Sequence, residues 1–567
     1  MTYQAPVDDI MRALKTAAGL DGLISSGVYE GLDEDTVRAV IEEAGKFGAE
    51  VLDPLNWTGD RTGSKLENGA VSTPPGWKEA YRQFASGGWS ALPCPEEFGG
   101  QGLPGVLSMA ACEIWNASNL SFGLCPLLTQ GAIDALHTDG SDELKATYLP
   151  KMISGEWTGT MNLTEPQAGS DLGAIRTKAV RQADGTYRIF GTKIFITYGD
   201  HELTDNIVHM VLARLPDAPA GTRGISLFLV PKRLVNADGS LGARNDVVCA
   251  GLEHKLGIHA SPTCVMKFGE GDGAVGYLVG HENRGLNTMF IMMNAARLAV
   301  GIQGVAVAER ATQRAVAYAR DRRQGRTQSS KGGEMGPIIE HADIRRTILT
   351  MKALTQAARS ICLVTAREID VSHRAKDAAQ RKAAADKAAL LTPIAKAFST
   401  DIGCEVASMG VQIHGGMGFV EETGPFGVDG VTVAALLSDG GGEGEHHPGG
   451  DGVVAPLEAR LSGQEVAEHA AHVLFHHLPD RPAVGVPEHH AWRVFLGVKQ
   501  VLMLADFAVV AAAGVFEAPF WRYTALTAVG SALWAFGFAG AGWAAGSAAC
   551  RWRSRCARSS AETTASR

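Results

Sequence analysis

The stretch Met161-Asn162-Leu163-Thr164-Glu165-Pro166-Gln167-Ala168-Gly169-Ser170-Asp171 decides how this chain folds. The residues before it pattern as helix, and those after it pattern as strand. Within it an apolar run turns into a Thr164-Glu165-Pro166 corner and then into Ala168-Gly169-Ser170-Asp171. A corner of this kind leaves backbone N–H groups and a hydroxyl at one edge, which suits a planar, hydrogen-bonding ligand. A polar turn between two elements is the simpler reading of the same residues, so signals elsewhere must separate the two.

Downstream of Asp171 the apolar residues recur with a period of two. Strands are predicted over 187–197, 207–215, 224–231 and 264–268, with Asp184-Gly185 as a hairpin turn before the first. Strands gathered inside a helical chain imply a separate β-domain of about 100 residues. Lys193-Ile194-Phe195-Ile196-Thr197 sets an aromatic ring and a hydroxyl on the first of them. Gly271-Asp272-Gly273-Ala274-Val275-Gly276 matches the dinucleotide pattern G-x-G-x-x-G. That fingerprint must open a helix, whereas Tyr277-Leu278-Val279-Gly280 continues as strand or turn, so the glycines are read as a flexible loop.

Upstream, Val37, Val40, Ile41, Ala44, Phe47 and Val51 fall at helical spacing, with Asp33 or Asp35 as the N-cap. A Pro/Gly loop over 91–102 interrupts the helices, which resume from Gly105 to about Gly155. Beyond the strands, helix is predicted from Leu286 to Met409. Phe290, Met293, Ala296, Val300 and Val305 form an apolar stripe expected in the core. The alanine-rich run from Arg367 to Lys396 carries charges of both signs and reads as one long helix with a solvated face.

The 567 residues exceed one simple core; at roughly 150 residues per domain they point to three or four. Hydrophobic content of 45% and charged content of 20% are those of an ordinary globular protein. A net charge of −9 argues against general nucleic-acid binding. Nine cysteines are scattered singly, as buried thiols of a reducing compartment would be. The first residues, Met1 to Asp9, have neither a basic nor an apolar signal segment, and a cytoplasmic enzyme is expected.

Past Gly424 the character changes. Residues 440–452 are glycine-rich, and histidines pair at 446–447, 476–477 and 489–490 without the i, i+4 spacing of a zinc site, so no metal is expected. No charged residue lies between Arg522 and Arg551, a length that could span a bilayer. The run is mostly Gly, Ala and aromatics, and a buried helix pair is expected, with a membrane segment as the second reading.

Three signals stand in order along the chain: the Met161–Asp171 corner, Lys193–Thr197, and Gln412-Ile413-His414-Gly415-Gly416-Met417-Gly418. Together they resemble the flavin-binding signatures of the acyl-CoA dehydrogenase family, and 91–102 resembles a loop typical of it. The resemblance runs from about residue 35 to Gly424. It implies a mostly α chain with a central β-domain: an N-terminal extension (1–34), a helical N-domain (35–158), a β-barrel-like middle domain (159–280), a C-terminal four-helix domain (281–424) and an atypical tail (425–567). It further implies FAD, oxidation of the Cα–Cβ bond of an acyl-CoA thioester, an electron-transfer flavoprotein as acceptor, a homo-oligomer, and a place in fatty acid metabolism. Residues 1–7 and 253–264 are most similar to the family's 3-(methylthio)propionyl-CoA dehydrogenase branch.

Carried over by position, the resemblance assigns Met161, Leu163, Thr164, Ser170, Phe195 and Thr197 to the flavin. Ser170, Asn294 and Arg297 fall to the CoA substrate. Arg322 and Gln324 would reach the FAD pyrophosphate of a neighbouring subunit, a task suited to paired guanidinium–phosphate hydrogen bonds. Gln412, Gly415 and Gly416 would complete that site.

The chain departs from the family where the base should stand. A Tyr-Glu-Gly-Thr motif is expected about twenty residues after Gly418, and gapless extension puts Ser438-Asp439-Gly440-Gly441 there. The family's other base position falls on Ala296. Asp439 is therefore the candidate base, with Glu443 and Glu445 behind it. A shifted reading frame and true divergence both account for the tail. Two rival functions follow: a catalytically impaired acyl-CoA-binding flavoprotein or scaffold, and a membrane-tethered oxidoreductase.

Overall fold

The computed structural model describes residues 2–420. Asp439, Glu443, Glu445 and the uncharged run before Arg551 lie outside the described residues.

The chain opens with helices α1 (Val7–Thr16), α2 (Leu20–Ser25), α3 (Glu34–Phe47) and α4 (Asp53–Thr62). Asp33 caps α3, its carboxylate accepting from Thr36 N–H at 2.7 Å. A short hairpin follows, β1 (Lys65–Glu67) and β2 (Ala70–Ser72), then α5 (Trp77–Ser86), α6 (Gly105–Ser118), α7 (Leu120–Asp139) and α8 (Asp142–Ile153).

The middle of the chain is built of β3 (Trp157–Asn162), β4 (Lys178–Arg181), β5 (Tyr187–Thr197), β6 (Asn206–Arg214), β7 (Ile225–Pro231), β8 (Arg233–Val235), β9 (Leu241–Arg244), β10 (Val247–Leu252), β11 (Thr263–Phe268) and β12 (Ala274–Val279). Eight of these strands form one sheet in the order β10-β11-β5-β12-β7-β6-β3. The eighth, β4, pairs with both β5 and β6 and so closes β5, β12, β7, β6 and β4 into a barrel. Ile189, Val211, Phe228, Val230 and Phe268 fill its interior. On its outer side Val208, Met210 and Leu212 of β6 meet Ala132, Leu136 and Met152 from α7 and α8. Successive residues of β6 thus feed two cores, and all but the last of that strand's residues are buried.

Three long helices follow: α9 (Gly285–Asp321), α10 (Ala342–Arg374) and α11 (Ala378–His414). They pack on one another, and α6 joins them against α9 and α10. Of the described helices α9 alone is long and apolar enough to cross a membrane, but it is a core helix with Ile302, Val305, Ala308 and Ala311 buried in this bundle.

Several expectations need correcting. The segment before the Met161 corner is not all helix, because β1, β2 and β3 precede it. Strand β3 escapes pattern reading because Thr158, Thr160 and Asn162 face the barrel and are buried through side-chain bonds to His201, His209 and one another. Its Gly159 sits so close to α7 that a Cβ would lie 2.6 Å from that of Ala132. Gly271–Gly276 is only partly loop, since β12 starts at Ala274. The run from Arg367 to Lys396 is two helices, interrupted at 375–377, where Asp377 caps α11 through Gln380 N–H. Its outer face is not purely polar, for Leu390 and Ile394 are exposed. The stripe of Phe290, Met293, Ala296, Val300 and Val305 is core only in part: Val305 is fully buried and Met293 and Val300 pack half-buried against the cores, while Phe290 is exposed and Met289, Met292 and Leu298 take the buried side of α9.

Candidate active site

The corner after β3 is held by a buried ion pair. Lys193 Nζ lies 2.8 Å from Glu165 Oε1 and donates to Leu163 O at 2.8 Å. The Glu165 carboxylate also accepts from Thr177 Oγ1 (2.6 Å), Thr177 N–H (3.1 Å), Arg176 N–H (2.7 Å) and Gln167 Nε2 (2.7 Å). Burial opposes its ionisation, but the Lys193 charge and these donors outweigh burial and hold its pKa at about 2. Burial pulls Lys193 down to about 8 against the attraction of Glu165. The neighbouring peptide is pinned as well, by Ile194 N–H donating to Thr164 O at 2.9 Å.

Pinning the Leu163 carbonyl aims the other side of the same planar trans peptide, the Thr164 N–H, in the opposite direction. Among the described residues that N–H meets no protein acceptor. Met161, Leu163 and Thr164 are half-buried, and Ser170 is exposed. On β5 the register against β11 jumps from Ile196↔Cys264 to Lys193↔Met266, so Ile194 and Phe195 bulge opposite Val265. Phe195 takes a left-handed φ of +61° and stands 57% exposed, a strained conformation for a bulky residue and one that keeps its ring out of the core. Thr197 is half-buried two residues on. A free N–H, hydroxyls and an exposed aromatic around one edge fit the polar rim and the flat face of an isoalloxazine.

The N-terminal part of α9 adjoins this corner, because Met161 and Leu163 share a core with Met289, Met292 and Met293. Asn294 is exposed and Arg297 half-buried on that stretch, with Arg297 Nη1 donating to Asn294 Oδ1 at 2.7 Å. With the open Phe290 they make one partly apolar, partly cationic stripe.

A third set lies at the opposite end of α9. Arg322 and Gln324 open a loop closed by Gln324 N–H to Gly336 O (3.0 Å) and Ile338 N–H to Arg322 O (2.8 Å). Both side chains are exposed, with Arg322 Nη2 3.5 Å from Gln324 Oε1. Gln412, Gly415 and Gly416 are exposed at the end of α11, where His414 stacks on Tyr318 with ring centroids 4.4 Å apart. From Met293 to Asp321 the helix rises about 40 Å at about 1.5 Å per residue. The structure therefore brings the corner together with Asn294 and Arg297, brings Arg322 and Gln324 to the end of α9 that also meets Gln412–Gly416, and keeps the two groups apart within one chain. Ala296 supplies no carboxylate. Sequence reasoning passed over Glu165 and Lys193, although both stand inside the stretches it singled out. Their signal was a charged residue at an inward position of a corner and of a strand.

Comparison with known proteins bears on this arrangement. Residues 34–156, 160–270 and 283–439 match the models of the acyl-CoA dehydrogenase N-terminal, middle and C-terminal domains, so the match extends past Gly424. The chain is 54% identical over 424 residues to the 3-methylmercaptopropionyl-CoA dehydrogenase of Ruegeria pomeroyi, covering 75% of this chain and 71% of that one. It is 37% identical over 435 residues to a butyryl-CoA dehydrogenase of Syntrophomonas wolfei, with the same coverage of 75% and 71%. Among solved structures, an acyl-CoA dehydrogenase complexed with FAD from Bacillus anthracis superposes with a TM-score of 0.59 at 24% identity, over 72% of this chain and 64% of that one.

Proposed function

Because this chain belongs to the acyl-CoA dehydrogenase family, an FAD-dependent family acting on the CH–CH bond of acyl-CoA, we propose that it dehydrogenates 3-(methylthio)propionyl-CoA at the corner and α9 surface described above. The observation that carries the reading is the 54% identity to a relative named for that substrate. Bound FAD supplies the acceptor for the β-hydride. The residues of this chain do the rest. Thr164 N–H, Phe195, Thr197 and Ser170 hold the flavin edge, and Ser170, Asn294 and Arg297 receive the CoA arm. A carboxylate must take the α-proton, and burial beside an apolar acyl chain would raise its pKa toward that of a useful base. Asp439 is our candidate, with Glu443 and Glu445 behind it.

The cofactor site is proposed to be shared between copies. Arg322 and Gln324 follow the far end of α9, and Gln412, Gly415 and Gly416 at the end of α11 lie beside it, too far from the corner of their own chain to serve it, so they would complete a neighbour's. The exposed Leu349, Leu390 and Ile394 on α10 and α11 support a homo-oligomer. The reduced cofactor is proposed to pass its electrons to an electron-transfer flavoprotein, and the enzyme to act in the cytoplasm in fatty acid metabolism.

The test is turnover of 3-(methylthio)propionyl-CoA and of straight-chain acyl-CoAs with an artificial electron acceptor. Preference for the former is expected, with Asp439→Asn abolishing it. A yellow protein that binds acyl-CoA without turnover would instead support the impaired flavoprotein, which the absence of a carboxylate at Ala296 and a shortened side chain at 439 favour. A misplacement of the base by about 1 Å can cost on the order of a hundredfold in rate.

A further inference from the structure

We propose that Lys193 and Glu165 are positioning residues that set the reduction potential of the flavin at the Met161–Ser170 corner; the inference rests on the cofactor site proposed above. The pair does more than brace a turn. Lys193 carries a buried positive charge whose Nζ touches the Leu163 carbonyl, one end of the peptide whose other end is the Thr164 N–H, which meets no acceptor among the described residues. An ammonium on the carbonyl polarises the peptide and strengthens that N–H as a donor. Glu165 places a compensating negative charge 2.8 Å from the ammonium and is itself held by Thr177, Arg176 and Gln167. Neither charge is screened by solvent: Lys193 is 0% exposed and Glu165 4%. In such surroundings an unbalanced charge acts at longer range than it would in water.

Two-electron reduction with uptake of one proton, at N5, leaves the flavin with one more negative charge than its oxidised form, so the two members of the pair pull its equilibrium in opposite directions. Lys193 favours the reduced form through the peptide it polarises. Glu165 offsets that pull. Loss of either one loosens the corner, but only a charge effect has a sign that depends on which is lost.

The experiment is a redox titration of purified FAD-bound protein in neutral buffer, following flavin absorbance. Glu165→Gln should raise the reduced-to-oxidised ratio at a fixed poise by tenfold or more, and Lys193→Met should lower it by a similar factor. Tenfold is about 30 mV for a two-electron couple. Glu165→Gln/Lys193→Met, with both charges gone, should return close to the parent. Thr177→Val, which removes a hydroxyl donor to Glu165 and no charge, should lower the melting temperature without moving the ratio. Glu165→Asp, which draws the carboxylate back by one methylene, serves if a neutral variant does not fold, and a smaller rise is then required. Unchanged ratios, or shifts of the same sign in both single variants, would overturn the inference while leaving the flavin site intact. A parent protein that binds no FAD would instead remove the site on which the inference rests.

Discussion

Arg359 of α10 and Glu113 of α6 face each other in the middle of the helical core, with Nη2 2.6 Å from Oε1 and both side chains no more than 1% exposed. Glu309 of α9 takes the same guanidinium at 2.8 Å, and Gln356 accepts from its Nη1 at 2.6 Å. This cluster ties the N-terminal helices to the C-terminal ones. Removing one partner of such a pair leaves a buried charge unanswered, which costs about 3–5 kcal/mol. Arg359→Met should therefore lower stability in chemical denaturation by about 3–5 kcal/mol. Adding Glu113→Gln and Glu309→Gln to it should recover a large part. A single variant within 1 kcal/mol of the parent, a threshold of about one ordinary hydrogen bond, would contradict the argument.

Acid stability should depend on Glu165. Its pKa of about 2 lies below the ordinary value of 4.5, so its contribution is complete above about pH 4.5 and disappears as the pH falls towards 2. Lys193, near 8, stays charged throughout that window. The shift corresponds to about 3 kcal/mol. Urea unfolding of the parent and of Glu165→Gln should differ most at neutral pH, and the two should converge in acid. A gap that is constant with pH would show that Glu165 does not titrate as described.

Phe195 is held in strain, and that strain is separable from folding. A left-handed φ costs a bulky residue on the order of 1–3 kcal/mol, a penalty glycine does not bear. Its ring is more than half exposed, so little packing is lost with it. Phe195→Gly should leave the melting temperature unchanged or raised while weakening FAD binding and turnover. Destabilisation by several degrees with full FAD occupancy would mean that the ring serves the fold and not the cofactor.

Arg322 is exposed and, among the described residues, its side chain bonds only to Gln324, so Arg322→Ala should leave unfolding unaltered and lower FAD content. Mixing Arg322→Ala with Phe195→Ala subunits under conditions of exchange should restore part of the lost FAD. Each mixed pair would keep one site with both halves intact. No recovery on mixing, with exchange demonstrated, would argue that each chain builds its own site.

Local chemistry made much of this architecture legible in the amino acids. Asp33 could be read as a cap because a short carboxylate ahead of a helical repeat has an orphan N–H to accept from. Asp184-Gly185 could be read as a turn because few other pairs relax there; Gly185 indeed has φ +83° and joins β4 to β5. Asn68-Gly69, at φ +52° and +75°, carried an equally good hairpin signal that went unread. The ordered cofactor motifs identified the corner, Phe195 and the glycines after α11, because such motifs are short and local.

What the tertiary structure alone decided is where distant residues meet. Strand β3 is paired in parallel with β6, some fifty positions away, and its small polar residues are stable inside the barrel only because His201 and His209 arrive to bond them. The exposure of Phe290 and the burial of Met292 depend on which face of α9 the sheet and α7 cover, and helical spacing alone is silent on that choice. The Glu165–Lys193 pair joins a corner to a strand twenty-eight residues on, through a bulge that no propensity encodes. Side-chain type determined what each residue can do; only the folded backbone determined which partner stands within 3 Å of it.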